Sequence, residues 1–180
     1  MNSDIHISEV ERRARRIKLL LMDCDGVLTD GRIELLENGD EQKTFHARDG
    51  QGIALLHWAG LKTGIISGRT SRAVERRARN LGMAYLRQET KDKIEALDEI
   101  LAAAGLEVDQ CAYIGDDLAD IPVMLRVELA VAVGDAVFET QQAAHYVTGL
   151  PGGHGAVREV TDLILKAQGH WHELMKGFGP

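Results

Sequence analysis

The feature of this sequence that most constrains its fold is a repeated alternation between short apolar runs and longer helix-like segments. The predicted strands are residues 18–22, 63–66, 83–86, 112–114, 129–133 and 146–147. The predicted helices are residues 50–59, 71–81, 91–104, 121–126, 138–144 and 156–168. Because strands that alternate with helices pair side by side in one direction, the sequence predicts an α/β fold with a parallel sheet and helices on both faces.

One segment departs from this alternation. Residues 32–36 and 42–45 flank Asn38-Gly39, a dipeptide that is typical of two-residue hairpin turns. The sequence therefore predicts a β-hairpin flap at about residues 31–46, directly after the first strand. Before that strand, Ser8 and Glu11 have the spacing of a capping box and predict a short N-terminal helix that begins there.

The composition restricts the kinds of partner that the chain can have. With 180 residues, 44% of them hydrophobic, we expect one packed domain over residues 1–180 and a tail from residue 169 to residue 180. The net charge of −7 has the wrong sign for gathering nucleic-acid phosphates, and no apolar run near the start approaches the roughly 20 residues of a membrane span. Two cysteines are too few for a disulfide framework. We therefore expect a cytoplasmic protein with no nucleic-acid or membrane partner.

Two carboxylates stand where the first predicted strand ends. Asp23 and Asp25 are two residues apart, and Gly26 allows the chain to turn away sharply after them. Ligands of parallel α/β sheets bind beyond the carboxyl ends of the strands. Paired carboxylates repel each other unless a cation lies between them or one of them keeps a proton. The pair suggests Mg²⁺, a hard ion that prefers oxygen ligands. An acidic turn without any ligand is the alternative.

A second acidic cluster follows the apolar run at residues 112–114. It contains Asp116, Asp117 and Asp120. If the two strands are neighbours, Asp116 is the preferred third metal ligand, Asp120 is a further candidate and Asp117 is a bystander. The alternative is a helix N-terminus, where acidic groups complement the helix dipole.

Groups that bind anions follow two further predicted strands. Ser67-Gly68-Arg69 offers a hydroxyl, a flexible backbone and a guanidinium at the end of residues 63–66. Lys93 lies near the start of a predicted helix and could bring a positive charge to the same edge of the sheet. A solvated surface lysine is the alternative for Lys93.

The order of these segments resembles a known family. The pattern DxDGVLTDG, then SGR, then a lysine, then GDDxxD is similar to the four motifs of the haloacid dehalogenase-like phosphohydrolases, and the resemblance covers nearly the whole chain. More narrowly, FHARDG at residues 45–50, AYIGDD at 112–117 and GGHGAVRE at 152–159 resemble 3-deoxy-D-manno-octulosonate 8-phosphate (KDO 8-phosphate) phosphatases. The resemblance implies a three-layer, Rossmann-like sheet with a flap and no cap domain.

The resemblance also implies a role for each motif residue. Asp23 would be the nucleophile that forms an aspartyl phosphate, and Asp25 the general acid that then activates water. Mg²⁺ would be held by Asp23, the backbone carbonyl of Asp25 and Asp116. Ser67 and Lys93 would help to offset the negative charge of the phosphate.

A further set of residues is implied to bind the substrate. Arg48 and Arg69 suit the carboxylate and polar face of an acidic sugar phosphate. By resemblance the full set is His46, Arg48, Asp49, Gly50, Arg69 and Arg77. A flap histidine that faces solvent is the alternative for His46. Phosphatases of related nine-carbon sugar acids tend to depart from the ARDG stretch and from the arginine after Ser67-Gly68, whereas this sequence keeps both arginines.

The predicted fold leaves the site open. No gap between the motifs is long enough for a cap domain, so a neighbouring chain would have to exclude water. By resemblance we expect a homotetramer in which flaps associate and C-terminal segments approach adjacent sites. Residues 150–155 and the tail are candidates for this closure, and a plain glycine-rich helix entry with a frayed terminus is the alternative. The implied activity is hydrolysis of KDO 8-phosphate in lipopolysaccharide inner-core synthesis, in a Gram-negative cytoplasm.

Three other functions would fit parts of this pattern. An EF-hand is excluded because Leu28 stands where the calcium loop needs glycine, and Val27 offers no side-chain oxygen. A receiver domain that accepts a phosphoryl group would carry its phosphorylated aspartate on a later strand. A regulatory or scaffold module without turnover stays open, although all the residues that the chemistry needs are present.

Overall fold

The computed structural model describes residues 3–37, 39–177 and 179; the side chains of residues 3–8 lie outside this description. The strands are β1 (Leu19–Met22), β2 (Glu34–Leu35), β3 (Glu41–Gln42), β4 (Lys62–Ile66), β5 (Tyr85–Arg87), β6 (Cys111–Gly115), β7 (Leu129–Ala132) and β8 (Tyr146–Val147). The helices are α1 (Ser3–Ala14), α2 (Ala47–Trp58), α3 (Arg72–Leu81), α4 (Lys93–Ala104), α5 (Ile121–Met124), α6 (Phe138–Ala143), α7 (Ala156–Ala167) and α8 (Trp171–Lys176).

Six strands form one parallel sheet in the order β5-β4-β1-β6-β7-β8. Strand β1 lies between β4 and β6, so that Met22 is opposite Ile65 on one side and Ile114 on the other. Every residue of β1, β6 and β7 is buried, as expected for strands that are covered on both faces. The predicted three-layer α/β fold is therefore confirmed.

The helices that flank the sheet pack in two groups. Helix α7 contacts α1 and α2, whereas α4 contacts α5. Helix α4 begins at an N-cap, Asp92, whose carboxylate accepts hydrogen bonds from the amides of Ile94 and Glu95 at 2.8 and 3.3 Å. This cap fixes the first turn of α4, which carries Lys93. Among the described residues, no helix is long and apolar enough to cross a bilayer.

The predicted hairpin is confirmed but shorter than expected. Glu34 pairs with Gln42, and Leu35 pairs with Glu41. Asn38, the first residue of the predicted turn, lies outside the described residues. Gly39 has a φ of 84°, a left-handed conformation that suits the second residue of such a turn.

Two helix boundaries differ from the predictions in ways that matter. Helix α1 begins at Ser3, not at Ser8, so the predicted capping-box start is wrong; no helix-breaking residue stands before Ser8. Helix α2 begins at Ala47, three residues before its predicted start. The predicted tail contains a further helix, α8, because Leu174 is buried where α8 packs against α7.

Candidate active site

The carboxyl ends of β1 and β6 bring the two acidic segments together. Asp23 follows β1 and Asp116 follows β6, and these two strands are neighbours in the sheet. Asp23, Asp116 and Asp120 each present a carboxylate oxygen, and these oxygens lie within 4.8 Å of one another. We call these three residues the carboxylate triad. Their grouping follows from the strand order, which no local sequence pattern specifies.

Lys93 neutralises part of the negative charge of the triad. Its ammonium group lies 2.8 Å from Asp23 Oδ2 and 2.7 Å from Asp120 Oδ1, and its side chain is only 8% exposed. Burial would lower the pKa of Lys93, but the carboxylates of Asp23 and Asp120 outweigh it and raise that pKa above its usual value. Lys93 is therefore a buried cation of the site and not the solvated lysine that the sequence left open.

Asp120 organises the segment around it. Its Oδ1 accepts hydrogen bonds from Tyr113 Oη and Lys93 Nζ, each at 2.7 Å. Its Oδ2 accepts from the backbone amides of Asp116 and Asp117 at 2.9 and 3.2 Å. Four donors thus satisfy both oxygens of this fully buried carboxylate. This arrangement favours a positioning role for Asp120 over a role as a metal ligand.

The carboxylate of Asp116, unlike that of Asp120, is not fully hydrogen-bonded. Its Oδ1 is buried and has no hydrogen-bond partner among the described residues. Burial, together with the charges of Asp120 and Asp23, raises the pKa of Asp116 to about 8. Burial and the Asp120 charge also raise the pKa of Asp23, to about 6, against the opposing effect of Lys93. One lysine does not balance three carboxylates, so these oxygen donors fit a hard divalent cation such as Mg²⁺.

Gly26 allows the loop after Asp23 to pass over this site. Its φ of 85° is left-handed, and a Cβ atom there would overlap the carboxylate of Asp116. Only glycine therefore permits both the turn and the close approach.

Residues 150–155 pack against the same loop from the other side. A Cβ atom on Gly152 would overlap the carbonyl of Gly26, and the Gly153 amide donates a hydrogen bond to the Val27 carbonyl at 2.9 Å. The glycine-rich segment thus supports the Asp23 loop of its own chain. Its predicted part in closing a neighbouring site stays a prediction.

Asp25 is not one of the triad carboxylates and has its own cations. Its Oδ1 forms an ion pair with Lys43 Nζ, and its Oδ2 lies 3.8 Å from Arg69 Nε. Both cations also pair with Glu41 in the flap. The two aspartates of the first motif therefore have different surroundings: Asp23 faces Lys93, and Asp25 faces the flap.

Ser67 lies where β4 ends, beside the first motif. It is buried, its amide donates to the Arg87 carbonyl at 2.8 Å, and its Oγ accepts from the amide of Arg69 at 3.2 Å. These bonds fix the turn that directs Arg69 toward the flap. Ser67, Arg69, Asp23 and Asp25 thus lie at the ends of adjacent strands, as predicted from the sequence.

Comparison with known proteins identifies the family. A family model described as haloacid dehalogenase-like hydrolase matches residues 86–159. The KDO 8-phosphate phosphatase of Yersinia pestis is 49% identical over 160 residues, which are 89% of this chain and 86% of the relative. That of Escherichia coli strain K12 is 44% identical over 166 residues, 92% of this chain and 88% of the relative.

Solved structures point to the same family as the sequence relatives. The structure of the Moraxella catarrhalis KDO 8-phosphate phosphatase, in complex with a magnesium ion, a phosphate ion and KDO, superposes with a TM-score of 0.93 at 40% identity, covering 95% of this chain and 98% of that one. The Yersinia pestis structure gives a TM-score of 0.89 at 48% identity, covering 91% and 89%. The chain belongs to the KDO 8-phosphate phosphatase family. The family resemblance predicted from the sequence is confirmed.

The family's FHARDG segment forms the start of helix α2. Asp49 is buried, and its Oδ1 accepts a hydrogen bond from the Arg158 amide at 2.8 Å, which joins α2 to the start of α7. Arg77 donates to the His46 carbonyl at 3.4 Å, and a Cβ atom on Gly50 would overlap the guanidinium of Arg77. Asp49 and Gly50 therefore have packing roles, and their predicted contact with substrate stays a prediction.

Two polar atoms of this segment, and one of the neighbouring Arg77, can still form a hydrogen bond. His46 Nδ1, Asp49 Oδ2 and Arg77 Nε are buried without a hydrogen-bond partner among the described residues. The guanidinium of Arg77 also stacks on the ring of Phe45, 5.5 Å from its centroid. Arg48, by contrast, is exposed. His46 is half-buried, so the fully solvated alternative for it does not hold.

Two residues of the site have no recognisable signal in the sequence. Tyr113 lies inside the apolar run that predicted β6, where its hydroxyl gave no sign of a polar partner. Lys43 stands among other polar residues of the flap. Only the tertiary fold brings Tyr113 to Asp120 and Lys43 to Asp25.

The raised pKa values predict an unusual pH dependence of stability. Without a divalent cation, the folded protein keeps protons on Asp23 and Asp116 up to pH values of about 6 and about 8, whereas unfolded aspartates lose theirs near 3.8. The folded state thus binds more protons in this range, so the free energy of unfolding contributed by these groups should fall as the pH rises through it. Urea unfolding in chelator across the range measures this slope.

The matched comparison is Asp116→Asn. In this variant, most of the dependence of the free energy of unfolding on pH should be lost. In the unmodified protein, saturating Mg²⁺ should suppress the same dependence, because cation binding displaces the protons. An equal slope in Asp116→Asn and in the unmodified protein would contradict the assignment.

Proposed function

We propose that this chain is a Mg²⁺-dependent phosphomonoesterase that hydrolyses KDO 8-phosphate to KDO and phosphate. The observation that carries the proposal is the carboxylate triad, whose oxygens lie within 4.8 Å of one another beside the buried ammonium of Lys93. A phosphate ester is anionic, and so is a carboxylate nucleophile, so the two can meet only where positive charge is concentrated. The sugar acid is supported by the names of the relatives that cover most of the chain.

The residues present fit the cation that the family implies. Asp23, Asp116 and the backbone carbonyl of Asp25 would hold it, and the unpartnered Oδ1 of Asp116 supports this set. Bound Mg²⁺ would supply charge neutralisation at the phosphoryl oxygens. Lys93 and Ser67 add a fixed positive charge and a hydroxyl at the same edge of the sheet.

The reaction then proceeds in two displacements at phosphorus. First, a carboxylate oxygen of Asp23 forms a bond to phosphorus while the bond to the sugar oxygen breaks, and Asp25 gives its proton to that departing oxygen. Second, Asp25 takes a proton from water, whose oxygen attacks the phosphorus of the aspartyl phosphate. Phosphate leaves, and Asp23 is again a free carboxylate.

The eight-carbon sugar acid is favoured over its nine-carbon relatives by two arginines. Arg48 is exposed at the start of α2, and Arg69 extends from the end of β4 toward the flap. A guanidinium matches the geometry of a carboxylate, which both kinds of sugar acid carry. The preference for the eight-carbon acid therefore rests on the resemblance, because phosphatases of nine-carbon acids tend to depart from both arginine positions. We include His46 and Arg77 in the substrate site, since each has a buried polar atom that is unpartnered among the described residues.

A panel of phosphorylated sugars and sugar acids tests the proposal. With Mg²⁺, we expect kcat/KM for KDO 8-phosphate to exceed that of the other panel members by at least about tenfold, a difference of 1.4 kcal/mol in transition-state binding. A chelator should abolish turnover, and added Mg²⁺ should restore it. Preference for a nine-carbon acid phosphate would contradict the substrate assignment. Full activity in excess chelator would contradict the metal role.

We also propose a cytoplasmic homotetramer that acts in lipopolysaccharide inner-core synthesis. The site lies at an open sheet edge, and the flap next to it exposes the apolar side chains of Ile33, Leu35 and Leu36. Exposed apolar side chains that are grouped together support association with another chain, which would exclude water from the site. Helix α8 packs against its own chain, so the flap is the better candidate for this closure.

A further inference from the structure

A closed ring of four charged side chains joins the flap to the active site. Lys43 Nζ pairs with Asp25 Oδ1 and lies 3.1 Å from Glu41 Oε2. Arg69 closes the ring, because its Nη2 pairs with Glu41 Oε1 and its Nε lies 3.8 Å from Asp25 Oδ2. Two cations and two carboxylates thus alternate around the ring.

Lys43 is the buried cation of this ring. Its side chain is 1% exposed, whereas that of Arg69 is 46% exposed. A charge this deeply buried is costly unless it is paired, so removing either partner would leave the other in an unfavourable state.

The first motif therefore has one lysine for each aspartate. Lys93 holds the carboxylate of Asp23 within the triad, and Lys43 holds that of Asp25 on the flap side. The proposed reaction needs this separation, because Asp23 must attack phosphorus while Asp25 must reach the departing oxygen. The exposed guanidinium of Arg69, 3.8 Å from Asp25, is too weak a contact to fix that carboxylate alone.

We propose that Lys43 is a positioning residue for Asp25, which it orients toward the departing oxygen of the substrate. The inference rests on the proposed phosphatase activity and assigns a function to a flap residue. It also links the flap to the chemistry, since Lys43 directly follows β3. Displacement of the flap would release Asp25 from its orientation.

The choice of leaving group tests this role. A sugar alkoxide needs a proton as it departs, whereas p-nitrophenolate leaves without one. In Lys43→Met we expect kcat/KM for the sugar phosphate to fall by about 10²-fold, the lower range of a general-acid contribution. For p-nitrophenyl phosphate we expect a fall of less than about threefold, and Lys43→Arg should recover part of the loss. Gln42→Met, an exposed residue of the same hairpin, should match the unmodified protein on both substrates.

Equal losses on the two substrates would overturn the proposal, because they would indicate a role in phosphate binding or in folding. Unchanged kinetics on both would overturn it as well. If KDO 8-phosphate is not a substrate, the comparison is made with the best alkyl phosphate of the panel, so that a wrong substrate and a wrong role for Lys43 give different results.

A double-mutant cycle provides a second measurement. If Lys43 acts through Asp25, then adding Lys43→Met to Asp25→Asn should lower kcat/KM for the sugar phosphate by less than about twofold beyond Asp25→Asn alone. Independent, multiplicative losses in the double variant would overturn the proposal.

Discussion

Asp23→Asn is expected to lower the rate of phosphate release by at least about 10⁴-fold while the fold is retained. Loss of a covalent nucleophile has an effect of this order or larger, because an amide oxygen cannot form the aspartyl intermediate. The variant remains nearly isosteric, and its amide can still accept a hydrogen bond from Lys93, which lies 2.8 Å from Asp23 Oδ2. Phosphate release under saturating substrate and Mg²⁺ measures the effect, with circular dichroism as the check on folding.

The control for this prediction is Asp117→Asn. Asp117 is an exposed neighbour whose carboxylate caps the turn after β6, where it accepts hydrogen bonds from the amides of Leu118, at 2.7 Å, and Asp120. Because an asparagine side chain can also cap this turn, near-normal turnover is expected. Acid quenching followed by peptide mapping should find an acyl phosphate on Asp23 in the unmodified protein. An acyl phosphate on another aspartate would favour the receiver hypothesis, and a stable one without turnover would favour the regulatory module.

The sequence predicted the sheet well because its strands are buried on both faces. Such strands are continuous apolar runs, and the runs at β1, β6 and β7 are interrupted by few polar residues. The helix ends were less predictable. Helix α2 starts at Ala47 because its first turn is held by the bond between Asp49 and the Arg158 amide, a contact between residues far apart in the chain.

The site was predictable to the extent that its residues stand at strand ends. Asp23, Ser67 and Asp116 each follow an apolar run, so the parallel direction of the strands brings them to one edge of the sheet. Lys43 and Tyr113 have no such signal. A lysine in a polar hairpin resembles any solvated lysine, and its burial against Asp25 depends on how the flap folds back over the sheet.

Lys93→Met is expected to have two large effects. Its ammonium lies 2.8 Å from Asp23 and 2.7 Å from Asp120, so its loss removes positive charge from the phosphoryl site. A group of this kind contributes about 10²–10³-fold to the rate, and kcat/KM should fall by that factor. The variant also leaves the triad carboxylates without their cation. Removal of one partner from a buried ion pair costs about 3–5 kcal/mol, which should appear as a lower free energy of unfolding in chelator.

The two effects of Lys93→Met separate when Mg²⁺ is added. A divalent cation that binds the triad of the folded state stabilises it in proportion to the logarithm of its concentration over Kd. Without the lysine, the carboxylates of the triad repel one another more strongly. Mg²⁺ should therefore raise the urea midpoint more in the variant than in the unmodified protein. The value of kcat/KM should stay low, because the phosphoryl site still lacks the ammonium. Lys91→Met, an exposed lysine two residues earlier, is the matched control and should change neither quantity. If Mg²⁺ raised the urea midpoint of Lys93→Met and of the unmodified protein equally, Lys93 and the cation would not share the carboxylate triad. The charge balance proposed for the site would then be wrong.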